Sequence, residues 1–126
     1  MVKGIEHTAI ASPDPSRLAQ WYVDHLNFVV NWRPENSKTV FVKAANGAMI
    51  EIIESHNQPS VPHMKDAGFR HLAIEVDDMG AEYARLCGMG VSFFSEPETH
   101  GGNTIAFFPD GDGNILHLLH REKPLS

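Results

Sequence analysis

An internal echo constrains this chain more than any other feature. Gly4-Ile5-Glu6-His7-Thr8-Ala9-Ile10-Ala11-Ser12-Pro13-Asp14 returns as Gly68-Phe69-Arg70-His71-Leu72-Ala73-Ile74-Glu75-Val76-Asp77-Asp78. In both stretches a histidine stands two residues before Ala-Ile, and an aspartate able to cap a helix follows. His71 follows His7 by 64 residues in a chain of 126. A chain with an echo at half its length reads as two copies of one unit, and such repeats decide the class of fold. A histidine at the same place in a repeated strand suggests that the two meet.

The first half reads as follows. Ile5 to Ala11 alternates as a strand and stops at Ser12-Pro13-Asp14-Pro15. Asp14 is a natural N-cap, and Pro15 suits the first helical turn, where its missing N–H costs nothing. Leu18, Trp21, Tyr22 and Leu26 form one helical stripe, and Asn27 can take the left-handed conformation that ends it. Phe28 to Trp32 and Thr39 to Lys43 are the next strands, Asn46-Gly47 is a tight turn, and Ala48 to Glu54 is the fourth strand.

Ser55 to Ala67 has two prolines and no period, and reads as a linker over 55–67. The pattern then restarts. Arg70 to Val76 is a strand, and Asp77 or Asp78 caps a helix whose buried stripe is Tyr83, Leu86 and Cys87, closed by Gly88. Val91 to Phe94, Asn103 to Phe108 and Ile115 to His120 are three more strands, the last two joined by the turn Asp110-Gly111-Asp112-Gly113-Asn114. The expected class is α+β. A single domain over 1–126 is built from two βαβββ modules, 4–54 and 68–121. Paired, they form a curved mixed sheet with helices outside.

Composition narrows the partners. Ten Lys and Arg against sixteen Asp and Glu give a formal charge of −6, the wrong sign for a nucleic-acid protein. No apolar run approaches the roughly 20 residues that span a bilayer. The start of the chain lacks the apolar core of a signal peptide. The lone Cys87 can form no internal disulfide, so a reducing cytoplasm is the default expectation.

Three stretches now point to a family. They are the strands opening at His7 and His71, Trp21-Tyr22-Val23-Asp24-His25-Leu26-Asn27-Phe28, and Phe108-Pro109-Asp110-Gly111-Asp112-Gly113-Asn114-Ile115-Leu116-His117-Leu118. With these the chain resembles the vicinal oxygen chelate superfamily, which includes glyoxalase I, methylmalonyl-CoA epimerase, extradiol dioxygenases and bleomycin- and fosfomycin-resistance proteins. The resemblance covers nearly the whole chain. It departs at Asn27, where the family usually has glycine.

In the fourth strand the polar residue inside the apolar run is Glu51, and in the eighth it is His117. The halves thus offer equivalent pairs, His7 with Glu51 and His71 with His117. A carboxylate or imidazole inside an apolar strand is costly without a partner, and one divalent metal would satisfy all four. The resemblance implies metal ligands at these same positions. The family's usual fourth ligand is glutamate, often also the catalytic base, and here His117 replaces it. Glu51 is then the only carboxylate of the set and the candidate catalytic base. Three imidazoles and one carboxylate suit zinc, nickel, cobalt or iron better than magnesium.

Other residues carry plainer readings. His56, His63 and His100 fall in loops and read as solvated, and His120 is a second candidate on the strand of His117. Trp21 and Tyr22 read as core, and Cys87 as packing rather than nucleophile. One of each pair Phe93/Phe94 and Phe107/Phe108 is expected to wall a pocket. Arg17, Arg33, Lys43 and Arg70 could meet an anionic substrate, although such charges are ordinarily solvated. No Gly-rich phosphate loop implies a nucleotide cofactor.

The resemblance implies three functions. The first is a glyoxalase-type lyase or isomerase, in which the metal binds two vicinal oxygens of a small substrate and a base removes the proton beside a carbonyl. The second is a ferrous-iron ring-cleaving dioxygenase. The third is a resistance-type protein that holds a small molecule without chemistry. A homodimer is the expected assembly.

Overall fold

Each helix begins where an aspartate can hold a backbone N–H. In the computed structural model, which describes residues 1–60 and 63–125, Asp14 caps α1 (Pro15–Leu26) by accepting from the Arg17 N–H at 3.1 Å. Asp78, the second of the two candidates, caps α2 (Met79–Gly88) by accepting from the Ala81 N–H at 3.0 Å. These carboxylates satisfy donors that have no partner inside the helix.

The chain divides into two compact units, Met1–Ser60 and Val61–Ser126. The expected linker over 55–67 includes positions 61 and 62, which lie outside the described residues. The first unit runs β1 (His7–Ser12), α1, β2 (Val29–Trp32), β3 (Val40–Lys43) and β4 (Met49–Glu54). Its sheet has the order β1-β4-β3-β2, with β1 parallel to β4 and the other pairs antiparallel. The second runs β5 (Leu72–Glu75), α2, β6 (Glu98–His100), β7 (Asn103–Pro109) and β8 (Ile115–Arg121). Its order is β5-β8-β7-β6, again with the first and last strands parallel. The two βαβββ modules are therefore real and share one topology.

Strand alternation assigns one face of each sheet to the helix. In the first unit Val40, Val42, Ile50 and Ile52 are buried together with Leu18, Ala19 and Tyr22 of α1. Tyr22 meets Phe28 edge to face at 5.5 Å. In the second unit Met79 and Leu86 of α2 are buried with Ala106, Phe108, Leu116 and Leu118. The Val, Leu, Ile, Phe and Met side chains among these contribute roughly 1.5–3 kcal/mol each when fully buried. Trp21 is only half-buried and stacks on His25 at 4.6 Å.

Three expectations need correction. Val91 to Phe94 is not a strand, and the hydrogen-bonded strand of that region is β6. Phe93 packs its ring between Tyr83 at 4.6 Å and Phe108 at 5.0 Å, and only the Phe94 N–H reaches β7, donating to the Phe107 carbonyl. Side-chain packing thus takes the place of a ladder there. Cys87 is exposed rather than packed, since the helix turns Leu86 inward instead. Gly88 is the last helical residue, not the stop. Gly90, at φ 87, makes the turn, with its N–H on the Cys87 carbonyl and the Val91 N–H on the Leu86 carbonyl. That bond pattern needs the left-handed residue two places later than Gly88, after the C-cap Met89.

Asn27 ends α1 at φ 59 and is the only non-glycine among the described residues with positive φ. A β-carbon is strained there, and asparagine tolerates it through its short polar side chain. We expect Asn27→Ala to cost about 1 kcal/mol and Asn27→Gly to hold or raise stability. Urea midpoints of the three proteins check this; equal losses in both variants would remove φ as the cause.

Candidate functional site

The face of each sheet turned away from its helix carries the polar residues singled out by the sequence. On β1, His7, Ala9 and Ala11 share that exposed face, and on β4 Glu51 shares it. Parallel pairing sets Ala9 directly beside Glu51, so His7 lies one diagonal step away. The result is a close approach, with His7 Nε2 3.5 Å from Glu51 Oε1. The small Ala9 leaves the carboxylate open. Phe41 of β3 stands directly across from Glu51, and its ring meets His7 edge to face at 5.4 Å. Trp32, more than half exposed, extends this aromatic row at 5.6 Å from Phe41.

The second unit repeats the arrangement. Ala73 of β5 lies beside His117 of β8, and Phe107 of β7 lies across from it. The His71 and His117 rings are 4.4 Å apart, and Phe107 lies 4.9 Å from His117 and 5.7 Å from His71. Phe107 is thus the residue of its pair that faces the site, whereas Phe108 is core. The structure brings the four candidate residues together as two pairs, one within each unit. Among the described residues no group of three or more His, Cys, Asp or Glu side chains is gathered for a metal.

The two pairs differ in charge. His7 Nδ1 is 2.6 Å from Glu6 Oε1, so the imidazole has a carboxylate at each nitrogen. Its pKa is raised, first by the hydrogen bond to Glu6; burial, the next largest cause, works against this, and the Glu51 charge adds a further rise. His117 is 5 % exposed, and burial lowers its pKa. Its Nδ1 donates to the Leu118 carbonyl at 3.2 Å, which works against that shift, while the charges of His71 and Arg121 add to it. A proton on Nδ1 leaves the Nε2 lone pair available, the form in which imidazole binds a metal.

Within the first unit the two donors are spaced as two ligands of one divalent ion would be. Bonds of about 2.1 Å at a tetrahedral angle need donor atoms roughly 3.4 Å apart, which matches the His7–Glu51 approach. His120 does not compete for this role. It stands three positions beyond His117, an odd step that puts it on the other face of β8, and its Nδ1 donates to the Val76 carbonyl at 3.1 Å. His56 and His63 are exposed, and His100, at the end of β6, is exposed beside Glu98 at 3.3 Å.

The comparisons with known proteins agree with this architecture. Residues 4–118 match the model of the Glyoxalase/Bleomycin resistance protein/Dioxygenase superfamily. The chain belongs to that superfamily. It is 30% identical over 128 residues to the uncharacterised protein YaeR of Escherichia coli (strain K12), covering 95% of this chain and 98% of that one. Among solved structures it is similar to TnmS3, an antibiotic-binding protein from Streptomyces sp. CB03234, with a TM-score of 0.76, 21% identity and 96% and 98% of the two chains covered. It is also similar to the fosfomycin resistance protein FosX from Listeria monocytogenes, complexed with manganese(II) and sulfate, with a TM-score of 0.73, 19% identity and 96% and 92% covered. At these identities the two structures speak for the fold. No helix among the described residues is long and apolar enough to cross a membrane.

Glu6 and Phe41 escape the sequence reading. Phe41 carried a signal, because Phe107 follows it by 66 residues, just as His117 follows Glu51. Glu6 carried none, since Arg70 stands at its repeat position.

The opposite shifts set opposite pH dependences. Below the ordinary histidine value of 6.5 the unfolded chain takes up a proton that buried His117 resists, so this residue lowers stability as pH falls through 6.5. His7 contributes stability that is fully present below 6.5 and lost as pH rises through its higher folded value. We expect imidazole NMR titration to place His117 below 6.5 and His7 above it, and Glu6→Gln to lower the His7 value. An unmoved His7 would discard Glu6 as the main cause. Urea midpoints should also show that His117→Gln loses less stability than wild type on going from neutral pH to acid.

Proposed function

We propose that this chain is a metal-dependent lyase or isomerase of the glyoxalase type, acting on a small substrate through two vicinal oxygens. The observation that carries the reading is the 3.5 Å approach of His7 Nε2 to Glu51 Oε1, with its counterpart in the His71–His117 pair. His7, Glu51, His71 and His117 are the proposed ligands of one divalent ion, zinc, nickel, cobalt or iron. Such an ion supplies Lewis-acid polarisation of a substrate carbonyl. Glu51 is the proposed base, taking the proton from the carbon beside that carbonyl, a role worth roughly 10²- to 10⁴-fold. Glu6 holds His7 by its Nδ1 proton and so aims Nε2 toward Glu51. Phe41 and Phe107 stand beside the pairs and give each an apolar wall.

Two observations favour a second reading, a protein that binds a small molecule without chemistry. Among the described residues no unit gathers three donors, and the usual carboxylate is absent at His117. Metal content separates the two. We expect one equivalent of divalent metal per set of four ligands by calorimetry, and at least about a 10- to 100-fold loss of affinity in His7→Ala and in His117→Ala, since even outer partners of ligands cost that much. Failure to bind zinc, nickel, cobalt or manganese, with no thermal stabilisation by any of them, would move the assignment to the binding protein. We read the assembly as a homodimer; a monomer by light scattering at micromolar concentration would overturn that and any site shared between chains.

His117→Glu probes the departure directly. Imidazoles lose metal as they protonate, below about 6.5, whereas carboxylates protonate near 4. The variant should hold its metal to lower pH and raise isomerase turnover of a hemithioacetal or an acyl-CoA epimer. An unchanged release midpoint with metal still bound would exclude His117 as a ligand.

A further inference from the structure

A cavity of about 520 Å³ opens in the first unit where the β1–α1 and β2–β3 connections meet. It lies beyond the C-terminal end of β1, whereas His7 is at the other end, about 16 Å away along the strand. Its polar wall is Asp14, Ser16, Arg33, Ser37, Lys38 and Thr39, and three prolines complete it.

The donor inventory decides what such a cavity takes. Arg33 Nη1 donates to Ser16 Oγ at 3.2 Å, so the Ser16 hydroxyl keeps its own proton to donate. Ser37 Oγ accepts from the Thr39 N–H at 3.2 Å and likewise keeps its proton. Lys38 pairs with Glu54 at 3.0 Å, but both side chains are more than half exposed and Glu54 does not line the cavity. An exposed pair of this kind is weak and readily exchanged. The one carboxylate in the wall, Asp14, already accepts from the Arg17 N–H. Two cations and three hydroxyls therefore line the cavity against one carboxylate, Asp14, whose Oδ1 caps α1. An arginine fork beside a lysine matches a phosphate better than a single carboxylate.

We propose that this cavity binds a phosphate group, free or on a small organic monoester, separately from the His7–Glu51 pair. The test is an amide NMR titration at constant ionic strength with inorganic phosphate, glycerol 3-phosphate and succinate. Saturable shifts at Ser16, Ser37 and Thr39 with either phosphate support the proposal, and the tighter of the two identifies the source. Arg33→Met should weaken binding about 10- to 100-fold, the worth of a charged hydrogen bond, while His7→Ala leaves it unchanged. Both cations are exposed, and Lys38→Met gives a second variant should Arg33→Met unfold. Absence of saturation at millimolar phosphate, shifts unaffected by either cation, or equal binding of succinate overturns it.

Discussion

Parallel pairing of the first strand with the last is the constraint on which each module depends. A strand-helix-strand-strand-strand segment leaves its first strand without a neighbour until the fourth returns beside it. In this chain that return is β4 beside β1 and β8 beside β5. Both pairings have one register, with Ala9 beside Glu51 and Ala73 beside His117. Side chains two apart share a face, so each opening histidine lies one diagonal from the polar residue of the last strand. The pairs follow from hydrogen-bond register, and a slip of one residue would turn each of these side chains onto the helix face.

The shared backbone geometry serves two different electrostatic settings. In the first unit the imidazole is half-exposed between two carboxylates, which favour its proton. In the second, burial and a neighbouring histidine disfavour it. A proton therefore competes with any ligand more strongly at His7 than at His117. The replacement of a carboxylate by His117 is consistent with its surroundings, because a neutral imidazole is far cheaper to bury than an anion.

Much of this was legible in the chain. The echo at His7 and His71 announced two modules, and Asp14, Pro15 and Asn27 marked the ends of α1 as the structure has them. Glu51 and His117 stood out as polar residues inside apolar runs. Elsewhere local pattern gave way to packing. Val91 to Phe94 has strand composition, yet Phe93 is held by Tyr83 and Phe108, and pairing moves to the polar Glu98–His100 stretch across the Gly101-Gly102 turn. Glu6 was invisible because Arg70 stands at its repeat position, so the echo gave it no counterpart.

His7, Glu51, His71 and His117 are the proposed ligand set. X-ray absorption on the protein loaded with one equivalent of cobalt or zinc tests it most directly, since the scattering counts imidazoles around the ion. The account predicts three imidazole nitrogens and at least one oxygen, falling to two imidazoles in His117→Glu. A first shell with one imidazole or none, unchanged by that substitution, would contradict it.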